Sequence, residues 1–211
     1  MKEISKAVLR RLPSYLSYLR NLPDNSSPYI SATTIANALG RGEVQVRKDL
    51  AMVSDGGKPK IGYNRESLIQ DINRFLGYDN TTDAVLVGAG KMGQALLDYN
   101  GFEKYGLNLL AGFDAAPSAE YTSEGKPIYT MDKLESFCQE HKVIMAIITV
   151  PAKHAQSVCD QLIDCGIKAI WNFANAHLDV PDNILIQSQN MASTLAVLSM
   201  HLQAQIREGL M

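Results

Sequence analysis

The residues of this 211-residue sequence that are best suited to bind a ligand lie in one glycine-rich stretch near its middle. Four apolar residues, 84–87, precede the pattern G-x-G-x-x-G, whose glycines are Gly88, Gly90 and Gly93. In this pattern the first glycine permits a sharp bend, the second lets a pyrophosphate approach the backbone, and the third lets helix and strand pack closely. The amides at the start of the helix then face an anion. The stretch predicts a strand, a dinucleotide-binding turn and a helix.

A carboxylate at the expected distance supports this interpretation. A second apolar run, residues 109–113, ends at Asp114. In dinucleotide-binding folds, an acidic residue in this position holds the ribose hydroxyls and repels the 2′-phosphate of NADP. The sequence therefore favours NAD, as NAD+ or NADH, as the cofactor. The alternative is a glycine turn in an ordinary βαβ unit.

Composition excludes several classes of protein. The sequence contains no apolar run of the roughly 18 residues that a membrane span needs, and its charged N-terminus lacks the apolar region of a signal peptide, so we expect a cytoplasmic protein without a membrane partner. The three cysteines, Cys138, Cys159 and Cys165, are odd in number and match no metal-binding spacing. We therefore expect no disulfide framework and no metal site.

Charge is distributed unevenly along the chain. Residues 1–65 contain 11 Lys/Arg and 5 Asp/Glu, whereas residues 66–211 contain 9 and 17. A basic front followed by an acidic remainder suggests two domains with different partners, and a polyanion is the natural partner of the first.

The basic part has the pattern of a winged helix-turn-helix. Residues 4–22 have helical periodicity, which Pro13 is expected to interrupt or kink. Ser31 is a good N-cap for a short helix that Gly40 ends, and a second helix begins at about Glu43. We expect this second helix to bury Val44, Val46, Leu50 and Val53 and to direct Gln45, Arg47, Lys48 and Asp49 outward.

A wing and a third helix complete the predicted DNA-binding domain. Residues 54–63 are rich in glycine and proline and carry basic residues, as the hairpin wing of a winged helix does. Residues 65–76 form a third amphipathic pattern, which Gly77 ends.

The second half alternates between helix and strand patterns, which predicts a Rossmann-like parallel sheet and an α/β fold. The expected helices are 92–99, 131–140 and 152–165, and the expected strands are 109–114, 143–150, 168–173 and a last one near 184–186. A strongly apolar helix over residues 191–206 carries Leu195, Leu198 and Leu202, and we expect it to form a subunit interface. The predicted domains are 1–78 for DNA binding, 79–188 for NAD(H) binding and 189–211 for dimerisation.

Six stretches of the sequence match the pattern of a known family: R-L-P-x-Y at 11–15, V-R-K-D-L at 46–50, G-A-G-K-M-G at 88–93, D-Y-N-G-F at 98–102, T-V-P at 149–151 and G-I-K-A-I-x-N-F at 166–173. Through them the sequence resembles the Rex family of redox-sensing transcriptional repressors over nearly its whole length. The resemblance implies a homodimer whose C-terminal helices are swapped between subunits. It also implies binding to inverted-repeat operator DNA that NAD+ permits and NADH weakens. Arg47 and Lys48 become recognition-helix contacts, and Tyr99 becomes the aromatic residue near the nicotinamide.

Together, the motifs and the resemblance define two sets of candidate residues. The expected NAD(H) site comprises Gly88, Ala89, Gly90, Lys91, Met92, Gly93, Tyr99, Asp114, Thr149, Val150, Pro151, Asn172 and Phe173. The expected contacts with double-stranded DNA come from Ser31, Gln45, Arg47, Lys48, Lys58, Lys60 and Tyr63.

Three departures from the family pattern bear on function. The family wing commonly reads G-K-R-G-V-G-Y, where this chain has G-K-P-K-I-G-Y at 57–63. Many members carry Val-Asp where this chain has Gln189-Asn190, and an arginine of their first helix aligns with Ser17. Because a neutral pair replaces a charged one, we expect a weaker response to the NADH/NAD+ ratio than in typical members.

Two other functions are compatible with the same motifs. The chain could be an NAD-dependent oxidoreductase, although no His-Asp or Tyr-Lys pair stands out to transfer the proton. It could also be a DNA-bound regulator in which the dinucleotide is structural and not a signal.

Overall fold

A computed structural model describes residues 5–208, which divide into two compact units. Unit 1 contains the described residues up to Asn80 together with Lys104–Gly106. Unit 2 contains Thr81–Glu103 and the described residues from Leu107 onward. Within the described range, no helix is both long and apolar enough to cross a membrane.

Unit 1 is a small helical unit with one pair of short strands. Its helices are α1 (Lys6–Arg20), α2 (Ala32–Ala38), α3 (Glu43–Val53) and α4 (Arg65–Leu76), and β1 (Tyr29–Ile30) pairs antiparallel with β2 (Tyr63–Asn64). Ser31 caps α2 by accepting a hydrogen bond from the amide of Thr34 at 3.0 Å. Gly77 ends α4, as predicted, and adopts the left-handed conformation.

Helix α1 continues through Pro13, so of the two expected effects the interruption is wrong, and the kink stays a prediction. A proline inside a helix removes one hydrogen bond and crowds the preceding turn. The side chains on both sides of Pro13 offset this cost, because Leu12, Tyr15 and Leu16 are fully buried in the core of unit 1.

Helix α3 differs from the prediction at two positions. Val44 is 64% exposed and not buried, whereas Asp49 is 1% exposed and not outward. The buried side chains Val46 and Leu50 explain both differences. Position 44 lies about 200° around the helix from position 46, whereas position 49, three residues beyond 46, lies on the buried face.

Unit 2 is a parallel sheet of six strands. The strands are β3 (Thr82–Val87), β4 (Leu107–Asp114), β5 (Ile128–Thr130), β6 (Met145–Ile148), β7 (Ala169–Asn172) and β8 (Leu185–Ser188), in the spatial order β5-β4-β3-β6-β7-β8. Chain order runs outward in opposite directions from β3 and β6. Ligands of such sheets bind at this switch point, beyond the carboxyl ends of the strands.

Helices cover both faces of the sheet. Helix α5 (Lys91–Leu97) packs on one face, and α6 (Leu134–Glu140) and α7 (Ala152–Asp164) pack on the other. Strand β5 was not predicted, because only three residues pair with β4 and they follow a long polar segment. The helix predicted to start at residue 131 begins as a 3-10 turn, Met131–Lys133, before α6.

The last described helix is α8 (Met191–Arg207). Asn190 caps it by accepting a hydrogen bond from the amide of Ser193 at 3.0 Å. No residue of α8 is buried in the single chain. Its exposed apolar side chains include Leu195, Val197, Leu198, Met200, Leu202 and Ile206.

Candidate functional site

The three glycines of the central motif each meet a different steric demand. Gly88 has φ 103°, and a Cβ there would lie 2.8 Å from the carbonyl carbon of Thr149. A Cβ at Gly93 would overlap the carbonyl oxygen of Gly88. A Cβ at Gly90, in contrast, would meet no protein atom within 4 Å. Gly88 and Gly93 are therefore required by the fold, whereas Gly90 leaves its backbone open to a ligand.

The loop is held in place by hydrogen bonds to its neighbours. The amide of Gly88 donates to the carbonyl of Phe113 at 2.7 Å, at the end of β4. The hydroxyl of Thr149 donates to the carbonyl of Gly88 at 2.7 Å. The loop is thereby tied to the carboxyl ends of β4 and β6, which orders it before any ligand arrives.

A cavity of about 870 Å³ opens over this loop. It is within the size range of ligand pockets in proteins. The predicted residues that line it are Gly88, Gly90, Lys91, Met92, Gly93, Asp114, Thr149, Val150, Pro151 and Phe173. The topology of the sheet brings these segments, which are distant in the sequence, together at the carboxyl ends of the strands.

Asp114 lies at the end of β4 and lines the cavity. One carboxylate oxygen, Oδ1, accepts a hydrogen bond from the amide of Ala116 at 2.9 Å. This bond orients the carboxylate. The open backbone at Gly90 and the carboxylate at Asp114 together fit a dinucleotide with ribose hydroxyls, so the residues present fit NAD.

Three residues of the predicted NAD(H) set do not line the cavity. Ala89 is buried, and its carbonyl accepts a hydrogen bond from Gln94 at 2.8 Å. Asn172 is fully buried; its amide group donates to the carbonyl of Ala176 at 3.0 Å and accepts from the amide of Ala174 at 2.9 Å. Asn172 therefore shapes the loop behind Phe173 and does not itself face the cavity.

Tyr99, the third of these residues, is 55% exposed. Its ring packs edge-to-face on Phe102, with 4.9 Å between centroids. Phe102 packs on Trp171 at 5.7 Å, and Trp171 packs on Phe173 at 4.7 Å. A row of aromatic rings therefore joins Tyr99 to Phe173, which lines the cavity.

Sequence reasoning missed a polar face of α7. His154, Ser157 and Gln161 line the cavity, although no chemistry was predicted for the histidines. The signal that could have found them is their spacing directly after T-V-P, because the first turns of a helix that follows a parallel strand lie near the strand's carboxyl end.

The cysteines carry no sign of reactivity. Cys138 and Cys159 are buried, and burial raises the pKa of Cys138 to about 11. Burial also raises the pKa of Cys159 and that of Cys165. Among the residues that the structure describes, no group of three His, Cys, Asp or Glu side chains could hold a metal ion.

In unit 1, a groove of about 480 Å³ lies between the start of α2, the middle of α3 and the predicted wing. The predicted DNA-binding residues that line it are Ser31, Arg47, Lys58, Lys60 and Tyr63. Tyr63 is only 8% exposed, so most of its ring belongs to the core. Gln45 and Lys48 lie outside this groove but are exposed on α3.

The wing is a tight turn. The backbone groups of Lys58 and Gly62 exchange two hydrogen bonds of 2.9 Å. Lys60, at the tip, has φ 65°, a conformation that costs a residue with a side chain roughly 1–2 kcal/mol. The family pattern has glycine at this position. The chain therefore keeps the glycine-type backbone while placing a cationic side chain at the tip.

A buried carboxylate ties α3 to α1. Arg11 donates two hydrogen bonds to Asp49, from Nε to Oδ2 at 2.7 Å and from Nη2 to Oδ1 at 2.9 Å. The hydroxyl of Tyr15 donates to Oδ2 at 2.8 Å, and Nε2 of Gln45 donates to Oδ1 at 2.9 Å. Burial alone would raise the pKa of Asp49, but the hydrogen bonds from Arg11, Tyr15 and Gln45 outweigh it and lower that pKa. Burial, with the bond to Asp49, raises the pKa of Tyr15 to about 12.

The two residues that depart from the family's charged pair have neutral partners. Ser17 is exposed on α1, and its hydroxyl accepts a hydrogen bond from the amide group of Asn21 at 3.4 Å. Asn190 serves as the cap of α8.

A helix-turn-helix unit and a parallel α/β unit with a dinucleotide-type glycine loop define the class of ligand-responsive DNA-binding regulators. Comparison with known families agrees with both halves. A model described as "Putative DNA-binding protein N-terminus" matches residues 3–51, and one described as "CoA binding domain" matches residues 79–176.

Proteins that match nearly the whole chain identify its family more specifically. The redox-sensing transcriptional repressor Rex of Treponema denticola is 41% identical, over 90% of this chain and 91% of its own. The Rex protein of Clostridium beijerinckii is 40% identical, over 93% and 94%. The chain belongs to the Rex family of redox-sensing transcriptional repressors. The resemblance found in the sequence is therefore confirmed, and membership of a repressor family sets aside the oxidoreductase alternative.

Solved structures of a Rex-family repressor have the same fold. The structure of RSP in complex with β-NAD+ and operator DNA matches 100% of this chain and 98% of its own, with a TM-score of 0.88 and 33% identity. The structure of RSP in complex with β-NADH matches 100% of both chains, with a TM-score of 0.84 and 33% identity. The predicted fold class, α/β with an N-terminal DNA-binding domain and a Rossmann-like sheet, is confirmed.

Proposed function

We propose that this chain represses transcription by binding operator DNA through unit 1 and by sensing NAD+ and NADH in the cavity of unit 2. The observation that carries the proposal is the cavity itself, in which the open backbone at Gly90 and the carboxylate of Asp114 face one space. The Rex-family relatives support it, because RSP has been solved in complex with β-NAD+ and operator DNA and in complex with β-NADH. The proposed site of action is the cytoplasm, without a metal cofactor.

The roles of the residues in unit 2 follow from their placement. The glycine loop receives the pyrophosphate on the backbone near Gly90, and Asp114 binds the ribose hydroxyls. When NAD(H) is bound at this site, the oxidised or reduced state of its nicotinamide is the signal to which the protein responds. Coenzyme A, which the description of one family model names, also carries a pyrophosphate and an adenosine. Its ribose bears a 3′-phosphate, which the charge of Asp114 disfavours, so calorimetry with NADH, NADPH and coenzyme A tests this assignment.

In unit 1, α3 is the recognition helix of the proposed repressor. Its exposed residues Gln45, Arg47 and Lys48 face the major groove, while Lys58 and Lys60 bind the phosphate backbone. Ser31 adds a contact at the start of α2. Tyr63 packs beneath this surface and supports it from the core.

A homodimer accounts for the exposed face of α8. Leu195, Leu198 and Leu202 are 62%, 64% and 44% exposed in the single chain. Monomeric soluble proteins rarely expose a contiguous apolar face of this kind. A second copy of the chain covers it through a swapped C-terminal helix, and the two-fold symmetry of the dimer demands an inverted-repeat operator. The domain limits of the proposal are residues 1–78, 79–188 and 189–211.

The decisive test is one titration of operator affinity with no cofactor, with saturating NAD+ and with saturating NADH. We expect tight binding with NAD+ and weaker binding with NADH. Because Ser17 and Asn190 are neutral, the loss with NADH should stay below about a hundredfold, or about 2.7 kcal/mol. A larger loss would show that the switch does not need those charges, whereas equal affinity with NAD+ and NADH would favour a structural role for the dinucleotide.

A further inference from the structure

The hydrogen bonds around Asp49 bear on how α3 would recognise DNA, an inference that rests on the proposed DNA-binding function. Gln45 lies in the first turn of α3, the part of a recognition helix that contacts base edges. Its side chain is exposed, yet its amide nitrogen donates to the buried carboxylate of Asp49 at 2.9 Å. An exposed glutamine normally samples several rotamers, and this bond selects one of them.

The carboxylate of Asp49 also dictates which way the amide of Gln45 is turned. An ionised carboxylate only accepts hydrogen bonds, so it binds the NH₂ group and rejects the carbonyl oxygen. Asp49 is itself held by Arg11 and by Tyr15, with bonds of 2.7–2.9 Å, and is 1% exposed. The anchor is therefore rigid, and the side chain that it holds is ordered before DNA arrives.

We infer that Asp49 is a positioning residue that presents Gln45 to DNA as a reader of adenine. With one N–H of Gln45 donated to Asp49, the carbonyl oxygen and the second N–H remain for a ligand. An acceptor beside a donor is the pattern that pairs with the N6 and N7 edge of adenine in the major groove. Preordering removes the entropy cost of fixing a flexible side chain at the interface, so the contact adds to sequence discrimination.

The proposal predicts a distinctive result from base-pair substitution. The probe is the duplex that the parent protein selects from a randomised pool, with each base pair of the half-site replaced in turn. In Gln45→Ala, the ratio of affinities for the parent duplex and the substituted duplex should fall roughly 5- to 150-fold at one A·T pair and change little at the other positions. Asp49→Asn should lose discrimination at that same pair, because an asparagine can offer Gln45 either an acceptor or a donor. The double variant should lose no more than Gln45→Ala alone.

Two controls separate positioning from general effects. Glu43→Gln removes one negative charge from the same helix, as Asp49→Asn does, but the side chain of Glu43 is 39% exposed and contacts Arg47 outside this network. Tyr15→Phe removes a bond to Oδ2 and leaves Oδ1, which holds Gln45. Both controls should keep the parent's preference at the A·T pair.

A second measurement does not depend on the folding of the Asp49 variant. In the NMR spectrum of the DNA-free parent protein, the side-chain NH₂ signals of Gln45, identified by their loss in Gln45→Ala, should show the restricted motion of an ordered group. Averaged signals typical of a free glutamine would overturn the proposal. So would an Asp49→Asn variant that keeps its base preference or loses affinity equally at every position. Failure of the parent to select any duplex would instead refute the proposed DNA-binding function.

Discussion

Gly90 offers the sharpest test of the dinucleotide site, because the structure separates its role from that of Gly93. Gly90 has φ −71° and ψ −170°, a conformation that alanine adopts freely, and a Cβ there would meet no protein atom within 4 Å. Gly90→Ala reduces the entropy of the unfolded chain but is a poorer N-cap than glycine. Because these effects oppose each other, we expect the free energy of unfolding to change by no more than about 0.5 kcal/mol, which shifts Tm by roughly 2 °C or less.

The same methyl group should nevertheless abolish tight binding of NADH. It extends about 1.5 Å into the space over the backbone, where a pyrophosphate must lie in contact with the loop amides. Displacing the phosphate loses one or two charge-assisted hydrogen bonds of roughly 1.5–3 kcal/mol each. For two lost bonds, affinity falls by roughly 10²- to 10⁴-fold.

Gly93→Ala is the matched control, since it adds the same atom on the protein side of the loop. Its Cβ overlaps the carbonyl oxygen of Gly88 and would lie 2.9 Å from the side chain of Leu86. Overpacking costs about 3 kcal/mol, of which the better helix propensity of alanine restores about 1. The net of about 2 kcal/mol lowers Tm by roughly 4–8 °C.

The assay uses Trp171, the single tryptophan of the chain. Trp171 packs on Phe173, which lines the cavity, so its emission should be quenched by energy transfer to bound NADH. Titrations of this quenching give Kd, and thermal unfolding without ligand gives Tm. A Gly90→Ala protein that binds NADH like the parent would refute the placement of the pyrophosphate over Gly90. A large loss of Tm in Gly90→Ala would refute the steric argument.

Three further predictions concern charge. Asp114→Asn removes the negative charge but keeps an oxygen that can accept the hydrogen bond from the amide of Ala116. Calorimetry should therefore show weaker binding of NADH and a smaller preference for NADH over NADPH. An unchanged preference would mean that Asp114 does not face the ribose. Arg47→Ala should weaken operator binding by roughly 1–3 kcal/mol if Arg47 contacts a base. Lys60→Ala should weaken binding to all duplexes alike and reduce the dependence of the binding constant on salt concentration by about one unit of slope. Gel shifts that are unchanged in both variants would show that neither residue contacts DNA. The pKa of Asp49 is lowered in the folded state, so its stabilisation is present above the ordinary value of 3.8 and is lost as pH falls through the lower folded value. The difference in unfolding free energy between parent and Asp49→Asn should therefore be constant near neutral pH and shrink below about pH 4, and a difference that grew with acidification would contradict this.

Local patterns in the sequence determined much of the architecture. The periodicity of residues 65–76 and the glycine that follows predicted α4 and its end, because a helix and its cap depend on neighbouring residues. The glycine motif and Asp114 predicted the strand, turn and cofactor class for the same reason, since their spacing encodes a local βαβ geometry. The limits of the strand pattern at 143–150 were less certain, because a continuous apolar run does not show where pairing stops, and β6 covers only Met145–Ile148.

Other features depended on contacts between distant parts of the chain. Asp49 is charged and was expected on the surface, but Arg11 and Tyr15 from another helix donate hydrogen bonds to it and offset the cost of burying its charge. His154 and Gln161 became cavity residues only because the sheet order places the start of α7 beside the glycine loop. Periodicity determines which face of a helix is apolar. Only the tertiary structure decides which polar side chains are paired in the core and which ones meet at the carboxyl ends of the strands.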